Sequence, residues 1–327
     1  MRKITLKQAL NEALREEMLK DETVIIIGED VGRRGNPFGV TLGLWKEFGD
    51  ERVRDTAISE AAIVGAALGA AITGMRPIAE ILYNDWITLA MDQIVNQVAK
   101  IRYMTGGMVQ VPLVIRAPIG GGAGQAAQHS QSFESWFLHV PGLKIVIPSN
   151  PYDAKGLLKT AIRDNNPVIF FEHKLSYSVA GEVPEEEYAL PFGVADIKRE
   201  GRDVTLVATS LMVSKSLEAA DEAAKEGIDI EIIDPRTLFP FDLDTIINSI
   251  KKTGRLVIVH EACGRGGIGA EIVTQVVEKA FGYLKIPPIR ICSLEIPVPY
   301  NKKLESMVIP NKDRILKEIK TGIFNKV

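Results

Sequence analysis

The sequence predicts an α/β protein made of two doubly wound domains. Three observations support this. Short apolar, β-branched runs alternate with helical patterns along most of the chain. That series is broken once, by the acid- and proline-rich stretch "EVPEEEYALPFG" at 182–193. The length of 327 residues also exceeds the ~250 residues at which single cores usually stop growing.

The first series places strands at "TVIIIGED" (23–30), "RPIAEILY" (76–83), "VPLVIRAP" (111–118), "LKIVIPS" (143–149) and "PVIFFEH" (167–173). Helical patterns lie between them at 6–21, 60–73, 85–104 and 151–164. Strands this apolar are buried on both faces, which suits a parallel sheet covered by helices. After the break, read as a linker, a second series runs through "DVTLVATS" (203–210), "IDIEIIDP" (228–235), "RLVIVHEA" (255–262) and "IRICSLE" (289–295), with helices over 214–226 and 267–281. The expected domains are 1–190 and 191–327. Ligands of such sheets bind beyond the carboxyl ends of the strands. This points to Glu29 and Asp30, Tyr83 to Trp86, the loop 117–129, and His260 to Gly267.

Composition narrows the function. A net charge of −3 gives no overall basic field for nucleic acid. Two cysteines, Cys263 and Cys292, make neither a disulfide framework nor a repeated metal-ligand spacing. The charged start lacks the apolar core of a signal peptide. The longest apolar-looking run, Ala61 to Met75, is 15 residues of mostly Ala and Gly, too short to span a bilayer. A cytoplasmic protein is expected, bound to neither membrane nor nucleic acid.

Two places suggest chemistry. Glu60 follows Ser59, an N-cap type, and opens a helix with few bulky side chains. A carboxylate in a first turn is favoured by the helix dipole, so its role is either structural or catalytic. Gly65 and Gly69 weaken that helix by ~1 kcal/mol each relative to Ala. Something should approach it closely, within the domain or from another subunit. The second place is His129 in "AAQHSQS", one of four histidines, just after the glycine run 120–124. An imidazole among polar residues can give or take protons near neutrality, and glycines admit a ligand closely. His139 reads as structural and His173 as structural or part of a cleft. The turn after His260 reads as close strand–helix packing. No HExxH, CxxC, GxSxG or Walker motif occurs.

"GEDVG", "DTAISE", "TGMRPIAEI", "MDQIVNQVAKIRYMTGG", "QHSQS", "HVPGLKIVIPSNPYDAKGLL", "AIRDNNPVIFFEHKL" and "DPRTLFPFD" occur in this order. Together they resemble the β subunit of the E1 component of 2-oxo acid dehydrogenase complexes, of the pyruvate and acetoin dehydrogenase type. The resemblance implies a pyrimidine-binding, thiamine diphosphate-binding fold followed by a transketolase C-terminal-like domain. It also implies an oxidoreductase that decarboxylates a 2-oxo acid or cleaves acetoin, then passes the acyl unit to a lipoyl group of E2. The implied partners are an E1 α subunit, in an α₂β₂ heterotetramer, and the peripheral subunit-binding and lipoyl domains of E2. In such enzymes Mg²⁺ and the diphosphate are held mainly by a GDG-containing α subunit, and this chain has no GDG.

By motif match, Glu60 would hydrogen-bond N1′ of the aminopyrimidine and so favour the tautomer that deprotonates thiazolium C2. Tyr83 would stack on the aminopyrimidine, with Ile58 and Trp86 as nearby contacts. His129 would handle protons on intermediates and during acyl transfer. Glu29 and Asp92 match a proton relay between paired sites, or are ordinary cleft and surface acids. Val111, Leu113, Val114, Ala161, Asp164 and Asn166 match a K⁺ loop. The alternatives are an E2-docking subunit with little direct catalytic role, branched-chain specificity, a transketolase or deoxyxylulose-phosphate synthase relative, and a generic nucleotide-binding protein. Loop texture favours acetoin or pyruvate.

Overall fold

The computed structural model describes residues 1–324. Its strands are β1 (Arg2–Thr5), β2 (Val24–Gly28), β3 (Val53–Asp55), β4 (Arg76–Glu80), β5 (Val114–Ile119), β6 (Lys144–Val146), β7 (Val168–His173), β8 (Ala180–Val183), β9 (Asp196–Arg199), β10 (Val204–Ala208), β11 (Ile230–Asp234), β12 (Thr237–Phe239), β13 (Leu256–Cys263) and β14 (Ile289–Ser293). The chain divides into two units. The first holds 1–119 and 136–192, the second 120–135 and 193–327.

In the first unit the sheet order is β6-β7-β5-β4-β2-β3, with every neighbouring pair parallel. The Leu6–Lys20 helix starts from a capping box in which Thr5 and Gln8 bond reciprocally. It buries Leu6, Leu10, Ala13, Leu14 and Met18, at helical spacing, into a core shared with Leu157, Leu158 and Ile162 of the Pro151–Arg163 helix. In the second unit β14-β13-β10-β11-β9 form a sheet in which only β9 runs antiparallel. The Leu211–Lys225 and Lys312–Phe324 helices cover it, burying Ala219, Ala220, Ile315 and Ile319.

Four local expectations differ from the structure. The pattern at 85–104 is not one α-helix. It splits into a 3₁₀ segment (Asn84–Ala90), a π segment (Gln93–Val98) and a short α-turn (Ile101–Met104). Thr88 Oγ1 donates back to Asp85 O at 2.9 Å, a side-chain bond that competes with regular helix. The stretch 182–193 is not a free linker. Val183 continues the β1–β8 ladder, Leu190 N–H donates to Gly156 O at 3.2 Å, and Tyr188 stacks on Tyr152 at 4.7 Å. Gly156 permits this, because a Cβ there would lie 2.6 Å from Leu190. The glycine loop at 120–124, read with the first domain, belongs to the second unit. Ser59 sits at the N-cap but makes no capping bond with its side chain.

Candidate active site

Three neighbouring parallel strands end on one edge of the first unit's sheet. β2 releases Glu29 and Asp30, and Asp30 turns the chain through φ 57°. After β3, Thr56 N–H donates to Gly28 O at 3.0 Å, which keeps the chain on that edge until Glu60 opens its helix. After β4 come Tyr83 and Trp86. The order β4-β2-β3 therefore puts the segments carrying Glu29, Glu60 and Tyr83 on the carboxyl edge, where such sheets bind ligands.

Glu60 is 6% exposed. Among the described residues its carboxylate takes no hydrogen bond or ion pair, and it stands in the first turn of its helix. Glu29, half-buried nearby, is raised above the ordinary carboxylate range by burial, then by the charges of Asp30 and Glu60. The Tyr83 and Trp86 rings meet edge-to-face at 4.9 Å, and Phe38 meets Tyr83 edge-on at 5.7 Å. Lys174 Nζ lies 5.1 Å from the Tyr83 ring centroid. Lys174 thus lies within cation–π reach of the Tyr83 ring. Ile58 is 75% exposed, and Asp92 accepts from Asn96 at 2.7 Å on the surface rather than bonding to Glu29.

The small-residue helix does not owe its glycines to packing within this chain. A Cβ at Gly65 would meet only Gln93, at 3.7 Å, and one at Gly69 would meet nothing within 4 Å.

His129 lies in the second unit, on a loop closed by Gly120 N–H donating to Gln131 O at 3.0 Å. It is half-buried, and its neighbour Ser130 is buried. The glycines before it are already used by the protein. Gly121 N–H donates to Glu261 at 2.5 Å, and Gly122 and Gly124 N–H donate to the two Glu305 oxygens at 2.7 and 2.9 Å. At the end of the loop, Glu134 is buried with one oxygen lacking a partner. Burial, then the Glu261 charge, raises its carboxyl to about 7.

The residues matched to a K⁺ loop come together at the amino ends of β5 and β7. Their oxygens are already engaged. Val111 O accepts from Leu113, Leu113 O from Val168, and Ala161 O from Asp164. The Asp164 carboxylate accepts from Lys144 and Asn166, and Asn166 Oδ1 accepts from Arg102. Two protein cations, Lys144 and Arg102, are thus bonded to the Asp164 and Asn166 side chains. Among the described residues no group of three or more His, Cys, Asp or Glu is placed to hold a metal ion.

Other histidines act locally. His173 Nδ1 accepts from Leu175 N–H at 3.2 Å. His260 is fully buried, and a Cβ at Gly267 would lie 2.5 Å from its ring, so the glycine turn serves close packing. The sequence reading missed a buried network under the candidate site. Arg116 Nε and Nη2 bond both Glu172 oxygens at 2.7 and 2.9 Å, Nη1 bonds Glu80, and Tyr177 donates to Glu172 at 2.8 Å. The signal was a single charge in each of three apolar runs, "PIAEI", "LVIRA" and "IFFEH".

Two family models match: the transketolase pyrimidine binding domain over residues 2–179 and the transketolase C-terminal domain over 193–315. Relatives include acetoin:2,6-dichlorophenolindophenol oxidoreductase subunit beta of Cupriavidus necator, 51% identical over 96% of each chain. The protein of the same description from Bacillus subtilis is 50% identical over 96% of each chain. The 2-oxoisovalerate dehydrogenase subunit beta of B. subtilis is 46% identical over 94% of each.

The chain belongs to the transketolase-like E1 β-subunit family.

It is thus a component of an oxidoreductase, as the sequence resemblance implied. The E1 β fold extends to a solved split-gene transketolase, an inactive β4 tetramer, with TM-score 0.81 at 21% identity over 99% of both chains. That likeness concerns the fold alone. Among the described residues no helix is long and apolar enough to cross a membrane.

Proposed function

We propose that this E1 β chain forms half of a thiamine diphosphate site and that its substrate is acetoin. Glu60, 6% exposed, without a protein partner and on the same sheet edge as the Tyr83–Trp86 pair, carries the reading. Glu60 would hold N1′ of the aminopyrimidine, and Tyr83 would stack on its ring with Trp86 as a nearby contact. A carboxylate with no protein partner and an aromatic platform on the same sheet edge fit such a ring. When bound, the cofactor supplies a nucleophilic carbon for attack on a carbonyl.

Glu60 then holds a proton-sharing hydrogen bond at the ring nitrogen, a charge-assisted contact contributing ~1.5–3 kcal/mol. Glu29, raised and close to Glu60 in charge, would serve as a nearby proton reservoir, while Asp92 would do so only across an assembled interface. Ile58 would add an apolar contact. His129 would move protons on the substrate side and during acyl transfer to the lipoyl group of E2. The complete site needs an α subunit, which would hold Mg²⁺ and the diphosphate. The open face at Gly65 and Gly69 supports a close contact with another subunit in an α₂β₂ assembly.

Acetoin is favoured over pyruvate because the relatives named for acetoin are 51% and 50% identical, while a pyruvate dehydrogenase β subunit of Staphylococcus epidermidis is 44% identical. The test is dye reduction by the chain assembled with its α subunit, given thiamine diphosphate and Mg²⁺. The panel is acetoin, pyruvate, 2-oxobutyrate and 2-oxoisovalerate. Preference for acetoin supports the reading. Preference for pyruvate or 2-oxoisovalerate keeps the half-site and overturns the substrate.

A further inference from the structure

The loop carrying His129 is held by two carboxylates far away in sequence. We propose that Glu305, assisted by Glu261, is a positioning residue that fixes this loop and so sets where the His129 imidazole stands. The proposal rests on the proton-handling role given to His129 above.

The geometry is that of an anion cradle built in reverse, with the protein supplying the anion. Gly120, Gly122 and Gly124 adopt φ of 89°, 88° and 71°, which turns successive amides inward. Glu305, 1% exposed on the Lys302–Val308 helix, takes the N–H of Gly122 on one oxygen and that of Gly124 on the other. Glu261, at the end of β13, takes the Gly121 N–H. Backbone nests of this kind favour a full negative charge, and bonds to a carboxylate are roughly twice as strong as neutral ones. The fit is close: a Cβ on Gly121 would lie 2.6 Å from Ile309 and 3.2 Å from Glu305. The glycine run therefore serves this seating, where its sequence alone points to ligand access. Gly120 N–H then closes the loop onto Gln131 O, so the anchored arm and the arm bearing His129 move together.

Glu305→Gln keeps the shape but offers one acceptor oxygen, and its NH₂ faces an amide N–H. The test compares Glu305→Gln, His129→Gln and the double variant, each assembled with the α subunit. Amide hydrogen exchange over 120–135 is followed beside turnover. Displacing a catalytic group by about 1 Å can lower turnover about 10²-fold. The expected results are faster exchange in the loop, kcat reduced about ten- to hundredfold with little change in KM, and no further loss when Glu305→Gln is added to His129→Gln. If Glu305→Gln does not fold, Glu261→Gln carries the same comparison with a smaller loss.

Unchanged exchange, or losses that multiply in the double variant, would overturn the proposal. Full turnover by His129→Gln would instead overturn the role of His129. Faster loop exchange in Glu305→Gln would in that case still support the anchoring.

Discussion

Burial of Glu134 makes the stability of this protein depend on pH. The side chain is 1% exposed and one oxygen has no partner. Burial, reinforced by Glu261, moves its carboxyl from an ordinary 4.5 to about 7. In the unfolded chain it ionises near the ordinary value. Between the two values the folded state holds the extra proton, so stability falls as pH rises through that window and the loss is complete above about 7. The shift is about 2.5 units, and each unit corresponds to about 1.36 kcal/mol, giving roughly 3 kcal/mol. Glu134→Gln removes the ionisation while keeping the shape. Urea unfolding of both proteins from about pH 4.5 to 8 should show the variant gaining roughly 3 kcal/mol relative to the parent across that range. A stability difference that stays constant with pH would refute the reasoning.

Three further outcomes follow from the site and its supports. Arg116→Met leaves Glu80 and Glu172 buried together without their cation. It should lower unfolding stability by about 3–5 kcal/mol in urea titration, and a loss under about 1 kcal/mol would remove the network from the account. Gly69→Leu meets open space in this chain, so its circular dichroism and thermal midpoint should match the parent, while light scattering should show failed assembly with the α subunit. Tyr83→Ala should weaken thiamine diphosphate binding by isothermal titration up to about tenfold, the worth of one aromatic contact of ~0.5–1.5 kcal/mol, and Tyr83→Phe should bind like the parent.

The alternation of apolar strands and helices was legible because strands buried on both faces need continuous β-branched runs. The placement of Glu60 at a helix start was legible from the small residues that follow it, and that of Tyr83 and Trp86 from the strand that precedes them. The break-up of 85–104 was not legible, because hydrophobic periodicity does not separate α, 3₁₀ and π turns. The seating of the glycine loop was hidden for another reason. Its partners, Glu261 and Glu305, lie 140 and 183 residues away from the amides they accept, and in the sequence they look like ordinary helix and strand-end acids. The Lys144 and Arg102 contacts to the residues of the K⁺ match were not legible, because they form only in the fold.

The most direct test of the central claim replaces Glu60 in the chain assembled with its α subunit, with thiamine diphosphate and Mg²⁺ supplied. Proton-transfer catalysis is worth ~10²–10⁴-fold, and Glu60→Gln should lower dye-coupled turnover by at least about 10²-fold while assembly and the thermal midpoint stay those of the parent. Turnover within about threefold of the parent would contradict the account and remove Glu60 from the active site.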